Sequence, residues 1–591
     1  MNFLKRVLAT IVGIFVFIGL CFVMLMIIGA IAGGGSDDKV KIKENTVLEL
    51  NLDQAIPDYK PKSEEDKIFN ELFGKEGHND LFDIISAIEY ASKDENIKGI
   101  SIKNLNLQAG MAQTKALRDA LKEFKNTGKF IVAYGDIISQ KAYYLNSVAD
   151  SIYLNPVGAL DFKGLSSEIL YYKDFQEKYG LKMEVIRHGK YKSAVEPYLA
   201  QEMSEANREQ ISVFLNSIWS NMKNEISESR GVSVAQLDTI ADNLLTRTAT
   251  KAADSKLIDK VAYVDEFNDA IKNRLGVEED KDVETVSIYK YAKYAAGKIR
   301  SKKAKIKDKI AVIYAQGQIM YGEGDEKTIG QGSINKALKD AREDEKIKAV
   351  VLRVNSPGGS ALASELIWRE IERTKAVKPV IVSMGNLAAS GGYYIACNAD
   401  KIIAEPSTIT GSIGVFGTLP NAHEFMNNIG INAESVQTNK NAITYSFFEP
   451  LSQEQHDVIK EGVVDIYNLF VKRVADGRKM TPEAVNEIAQ GRVWTGSDAL
   501  NIGLVDEIGG LDIALKYAAE AAELEDYKVK ELPHYEKDFE KMLSGFGFVQ
   551  TKESLLKEEL GARNYEIMQK MKNITKMEGA QMLLPYDLNI Q

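Results

Sequence analysis

The chain is written twice. Ile131-Val132, Gly135, Tyr143-Tyr144 and Ala149-Asp150 recur as Ile381-Val382, Gly385, Tyr393-Tyr394 and Ala399-Asp400, at a constant offset of 250 positions. Ile97-Lys98 matches Ile347-Lys348, Pro156 matches Pro406 and Lys190 matches Lys440 at the same offset. Agreement over so long a span requires two copies of one folding unit, because each unit must bury the same faces. The differences between copies then carry the information about chemistry. Ala389-Ser390-Gly391-Gly392 stands opposite Ser139-Gln140-Lys141-Ala142, and Pro357-Gly358-Gly359-Ser360 stands opposite Leu107-Gln108-Ala109-Gly110. A hydroxyl and a glycine turn survive in the second copy alone.

Each copy alternates short apolar strands with helical stretches. Thr46–Leu52 and Ile310–Ala315 open the copies as strands; Ile347–Val354, Leu362–Arg373, Val380–Ser383 and a helix from about Ser390 follow in the second. Buried strands alternating with helices predict an α/β fold with parallel sheets and crossover helices. The predicted organisation is an amino-terminal anchor (1–32), a first α/β repeat (33–296), a basic linker (297–309), a second α/β repeat (310–533) and a helical tail (534–591). Gly297 to Lys309 holds seven basic residues and one acidic one, which reads as a solvated linker, with lipid contact as the alternative. The tail shows no recognisable chemistry.

Lys5-Arg6 precede an apolar run from Val7 to Ala32, long enough for a bilayer-crossing helix of about 20 residues. Ala30-Ile31-Ala32 resembles a signal cleavage site, but the run exceeds an ordinary signal h-region, which favours an uncleaved anchor. Positive charge before the span holds the amino terminus in the cytoplasm. The expectation is therefore a single-pass protein of the cell inner membrane with its body in the periplasm.

A total of 74 basic against 84 acidic residues, net −10, gives no case for nucleic acid. The two cysteines, Cys21 and Cys397, lie in apolar stretches and indicate neither a disulfide framework nor a metal site. No cofactor is called for.

Asn355-Ser-Pro-Gly-Gly-Ser360 follows the strand ending at Val354, at the carboxyl end of the sheet where α/β proteins place their sites. Gly358 and Gly359 can turn sharply and expose amides able to hold an oxyanion; the same turn has an equally good structural reading. The next strand delivers Ser390 to a helix start, where the Gly391 amide and the helix dipole favour developing negative charge. A serine needs a base. Of the histidines, only His423 lies downstream in the same copy, and a surface position beside Asn421 and Glu424 explains it as well. Lys192 is the stronger candidate. A lysine with an ordinary pKa of about 10.4 must be desolvated or set near another cation to accept a proton, and Lys190 is close in sequence. The repeat counterpart of Lys192 is Ala442, so the lysine is kept in one copy and the serine in the other. Taken without the repeat, Lys192 reads as an ordinary surface lysine.

Lys192-Ser-Ala-Val-Glu-Pro197, Asn355-Ser-Pro-Gly-Gly-Ser360, Ser390-Gly-Gly-Tyr-Tyr394, Thr410-Gly-Ser-Ile-Gly414 and Gly491-Arg-Val-Trp-Thr-Gly496 closely resemble the long, two-repeat form of the signal peptide peptidase A (protease IV) family. The resemblance runs from the anchor to about Leu515. It implies tandem duplicated domains of the Clp protease/crotonase-like fold behind one transmembrane helix, and a Ser-Lys peptidase with no metal or cofactor. Residue by residue, it maps the nucleophile to Ser390, the general base to Lys192, the lysine-orienting serine to Ser412 and the oxyanion glycine to the Gly358-Gly359 turn, with the Gly391 amide, next after the nucleophile, as a further oxyanion candidate. Ser412 has Phe162 as its repeat counterpart. The resemblance further implies apolar substrates such as released signal peptides, contact with membrane lipid and a homotetramer. Two other readings exist: an acyl-CoA hydratase or isomerase of the same fold, opposed by the anchor, and an inactive membrane scaffold, opposed by the presence of both serine and lysine.

Overall fold

The structure, a computed structural model, describes residues 6, 10–20, 22–24, 41–61, 79–103, 107–278, 280–535, 561 and 580–584. The expected alternation of strand and helix is present in both copies. The first repeat builds a six-stranded parallel sheet in the order Lys260–Val261, Ser151–Leu160, Phe130–Ile138, Ile97–Ile102, Thr46–Leu50, Thr285–Ser287. The second repeats the central strands as Ile409–Gly411, Val380–Ala389, Ile347–Ser356 and Lys309–Gln316, with Lys528–Leu532 on one edge and Val493–Thr495 antiparallel on the other. These strands are rich in Ile and Val because helices cover both faces, so almost every side chain is buried.

The copies are locked together by residues that fill each other's defects. Ser360 caps helix Ala361–Lys375 through its hydroxyl, which accepts from the Ala363 amide. Its counterpart in the first repeat is Gly110, which has no side chain to offer helix Met111–Asn126. Asn386 of the second repeat supplies the missing cap: its Oδ1 accepts from the Ala112 and Gln113 amides at 3.1 and 3.3 Å, and a Cβ at Gly110 would collide with it. Asp58 pairs with Arg353 at 3.0 Å, both almost fully buried, and Tyr59 stacks on Tyr314 at 4.4 Å. The predicted boundary near residue 310 therefore separates copies in sequence but not in packing.

Two expectations are adjusted. Gly297 to Lys302 is the end of helix Ile288–Lys302, whose Ala295 is buried; the basic stretch is linker only from Lys303. The charges fall where a helix carboxyl end favours cations. In the tail expected to be helical, Gln581–Leu583 is a strand, because it finds free edges to pair with in a sheet. Of the anchor, residues 10–20 and 22–24 are helical, with Phe15 and Phe17 exposed; the rest lies outside the described residues except Arg6. Among the described residues, no helix is long and apolar enough to cross a membrane.

A third sheet positions the site. Its order is Gly324–Asp325, Thr328–Gly330, Gln318–Met320, Gly358–Ser360, Gln581–Leu583, Val415–Asn421, Lys182–His188. Strand Lys182–His188 comes from the first repeat and runs antiparallel to Val415–Asn421 of the second over seven residue pairs, from Val415↔His188 to Asn421↔Lys182. This ladder carries the loop after His188 across to the other copy.

Candidate active site

Ser390 ends strand Val380–Ala389 and caps helix Gly391–Ala396 with φ +55° and ψ −115°. A non-glycine residue at positive φ is strained, and the surroundings hold it there: the Ser390 amide donates to the Gly411 carbonyl at 2.8 Å. The sharp turn presents the hydroxyl at the carboxyl end of the sheet. Lys192 arrives on the loop after Lys182–His188, just before the turn Ser193–Val195. Its Nζ lies 2.9 Å from Ser390 Oγ, 3.0 Å from Ser412 Oγ and 3.2 Å from the Ser412 carbonyl. Lys192, Ser390 and Ser412 are all 0% exposed. Burial alone holds the lysine well below its ordinary pKa. Among the described residues, no carboxylate partner faces the amine to restore its charge.

The glycine turn is a strand of its own, Gly358–Ser360. Gly358 has φ +100° and Gly359 φ +154°, and a Cβ at Gly359 would collide with the Ile319 backbone, so both positions require glycine. A Cβ at Gly391 would lie 3.1 Å from the Gly359 amide nitrogen, which brings the turn against the residue after the serine. Ser390, Lys192, Ser412, Gly358, Gly359 and Gly391 thus converge on one buried corner.

His423 does not join them. On helix His423–Asn428, its Nδ1 contacts the Phe448 carbonyl at 2.7 Å and its Nε2 the Asn427 amide at 3.0 Å. Lys190 is exposed, its Nζ 5.1 Å from the Tyr191 ring, and is not among the causes of the Lys192 shift.

Other residues of the corner were not singled out from sequence. The Ser390 hydroxyl has the Gly414 carbonyl 3.4 Å away, and the Phe416 ring lies 5.8 Å from Lys192 Nζ. Gly491, at φ +81°, is pressed on the lysine: a Cβ there would lie 2.7 Å from Lys192 Cβ and from its backbone nitrogen. The same segment holds the second serine, because the Arg492 carbonyl accepts from the Ser412 amide at 2.7 Å. Both glycines sit in motifs visible in the sequence, Thr410–Gly414 and Gly491–Gly496, whose roles needed the contacts.

The equivalent corner of the first repeat is closed. Gln140, opposite Ser390, accepts from the Lys163 and Gly164 amides at 2.9 Å each and donates to the Gly164 carbonyl at 3.0 Å. Phe162, opposite Ser412, packs on Tyr143 and Trp219. Ala442, opposite Lys192, lies in an exposed loop.

An α/β fold that buries a strained serine beside a desolvated lysine and a glycine turn is a setting suited to a serine peptidase. Residues 123–278 and 372–525, one span in each repeat, match peptidase family S49, and the chain belongs to that family. It is 37% identical to Protease 4 of Salmonella typhi over 86% of this chain and 84% of that one. Protease 4 of Haemophilus influenzae is 36% identical over 85% and 83%, and the chloroplastic serine protease SPPA of Arabidopsis thaliana 36% over 73% and 64%. Among solved structures, a 1510-N membrane-bound stomatin-specific protease aligns over 38% of this chain and 98% of its own, at 17% identity and a TM-score of 0.26.

Proposed function

We propose that this serine peptidase works by a Ser-Lys dyad split between its repeats, with Ser390 as nucleophile and Lys192 as general base. The observation that carries the reading is the 2.9 Å approach of Lys192 Nζ to Ser390 Oγ in a site closed to solvent. A neutral amine has two N–H groups and one lone pair. The N–H groups are directed at the Ser412 carbonyl and hydroxyl, which leaves the lone pair to accept the Ser390 proton. Ser412 is thus a positioning residue. The serine oxygen attacks the substrate carbonyl, amides of the Gly358-Gly359 turn and Gly391 hold the oxyanion, and Lys192 hands its proton to the leaving amine.

The substrates we infer are apolar peptides, signal peptides first among them. One relative carries that substrate in its name, a putative signal peptide peptidase of Enterococcus faecium, 38% identical over 33% of this chain. The apolar run from Val7 to Ala32 is read as a single-pass inner-membrane anchor that keeps the body in the periplasm beside its substrates and in contact with lipid. A homotetramer is the assembly proposed. Labelling with a serine-reactive fluorophosphonate tests the central claim: wild type should label at Ser390 and Ser390→Ala should not. Equal labelling of both proteins would refute it.

A further inference from the structure

Helix Glu205–Arg230 of the first repeat docks on Val493–Ser497 of the second through three polar residues. Gln210 Oε1 accepts from the Val493 amide at 2.8 Å, the Ser217 and Thr495 hydroxyls lie 2.9 Å apart, and Asn221 Nδ2 donates to Ser497 Oγ at 3.2 Å. Their spacing puts all three on one side of the helix. Gln210 differs from the other two in what its second atom does. Its Nε2 donates to Ser193 Oγ at 3.3 Å, and Ser193 follows Lys192 in the chain. Gln210 is 1% exposed and Ser193 3%. The orientation of the amide is dictated: a backbone N–H can only donate, so the oxygen must face Val493 and the nitrogen the serine. The contacts close a ring. Lys192 Nζ reaches Ser412, the Ser412 amide donates to the Arg492 carbonyl at 2.7 Å, the next residue, Val493, donates to Gln210, and Gln210 returns to the residue beside Lys192. The matching helix of the second repeat, Gln453–Arg478, has the same 26 residues, and its sixth position, held by Gln210 in the first repeat, is Val458, 61% exposed. The glutamine thus stands only in the copy that keeps the lysine.

We propose that Gln210 is a positioning residue for the peptidase reaction, setting the Lys192 backbone through Ser193 and the Ser412 backbone through Val493, so that the amine meets Ser390 with its lone pair. The inference rests on the Ser-Lys reading above. Lys192 and Ser412 come from different repeats, and their backbones must hold one spacing for the amine to reach both serines. The ring fixes that spacing from a helix that touches neither hydroxyl of the site. Glutamine suits the task because it accepts at one end and donates at the other; methionine fills similar space and does neither. Without the amide, the Val493 N–H and the Ser193 hydroxyl lose a buried partner, and the two segments are free to drift apart.

The test is steady-state peptide hydrolysis across pH by wild type, Gln210→Met, Ser193→Ala, the double variant and Ser217→Ala, each with its denaturation midpoint. Gln210→Met should lose kcat at least about tenfold with KM held within about twofold, because a base displaced by about 1 Å slows the chemical step and not binding. Its acidic limb should move to higher pH, since a lysine loosened from its buried corner regains water and part of its ordinary pKa. None of the variants alters a charge; Arg187, whose Nη1 donates to the Lys192 carbonyl at 3.5 Å, and Arg492, paired with Glu209 at 3.4 Å, stay in place. Ser193→Ala should reproduce most of the loss, and the double variant should be no worse than Gln210→Met. Ser217→Ala, which loosens only the docking of the helix, should keep the wild-type kcat and limb. A folded Gln210→Met with wild-type kcat and limb overturns the inference, as do an equal loss in Ser217→Ala and additive losses in the double variant. If Gln210→Met does not fold, Ser193→Ala decides alone, and wild-type kinetics there overturn the inference. Activity persisting in Ser390→Ala would instead sink the dyad reading, so the two fail separately.

Discussion

Lys192 Nζ meets Ser390 Oγ at 2.9 Å across 198 positions of sequence, from opposite repeats. Each copy has kept what the other lost, and the antiparallel pairing of Lys182–His188 with Val415–Asn421 brings the two halves together. Either repeat alone would hold half a site. Ser390→Ala and Lys192→Ala should therefore each reduce peptidase activity by a factor on the order of 10⁴ or more, with the double variant no worse than either. Steady-state hydrolysis of the three variants decides this; additive losses would separate the two residues.

Activity should rise with pH through an apparent pKa well below the ordinary lysine value, since only the neutral amine can accept the Ser390 proton. Because Lys190 is exposed and burial is the cause of the shift, Lys190→Met should leave this limb in place. A pH–rate profile of both proteins is the measurement. Displacement of the limb in Lys190→Met would restore a role for charge repulsion.

The same shift has a consequence for stability. Between the lowered folded pKa and the unfolded value of about 10.4, the unfolded chain binds the proton and the folded chain does not, so stability contributed by this group rises with pH. Lys192→Met, which has no charge to desolvate, should be more stable than wild type near neutrality, and the advantage should shrink as pH rises. Denaturant melts at two pH values check the sign.

Gly491→Ala should lose activity about ten- to a hundredfold and destabilise by about 1–3 kcal/mol. The new methyl has no room against Lys192, and φ +81° strains any L residue. Activity with a denaturation midpoint on one preparation tests both; wild-type kinetics would show that Gly491 does not set the lysine.

In the first repeat, Gln140→Ser in a Ser390→Ala background should remain inactive and unlabelled by a fluorophosphonate. A hydroxyl there would have neither base nor glycine turn, and removing Gln140 frees the Lys163 and Gly164 amides that it satisfies. That loss should cost about 1–3 kcal/mol. Labelling at position 140 would contradict a single site per chain.

The sequence by itself determined the duplication, the parallel α/β character and the asymmetry of the copies, because burial on both sheet faces and the need for glycine at positive φ are local demands written residue by residue. Ser390, Lys192 and the glycines of the turn could be singled out this way, and Ser412 through the family resemblance. Their meeting was decided by tertiary structure: no spacing along the chain encodes the ladder that carries Lys192 across, the Asn386 cap at Gly110 or the pressure of Gly491 on the lysine. The misreading of Gln581–Leu583 has the same origin. Its residues suit helix or strand, and the choice fell to unpaired backbone at Gly358–Ser360 and Phe416, which lies more than a hundred positions away in sequence.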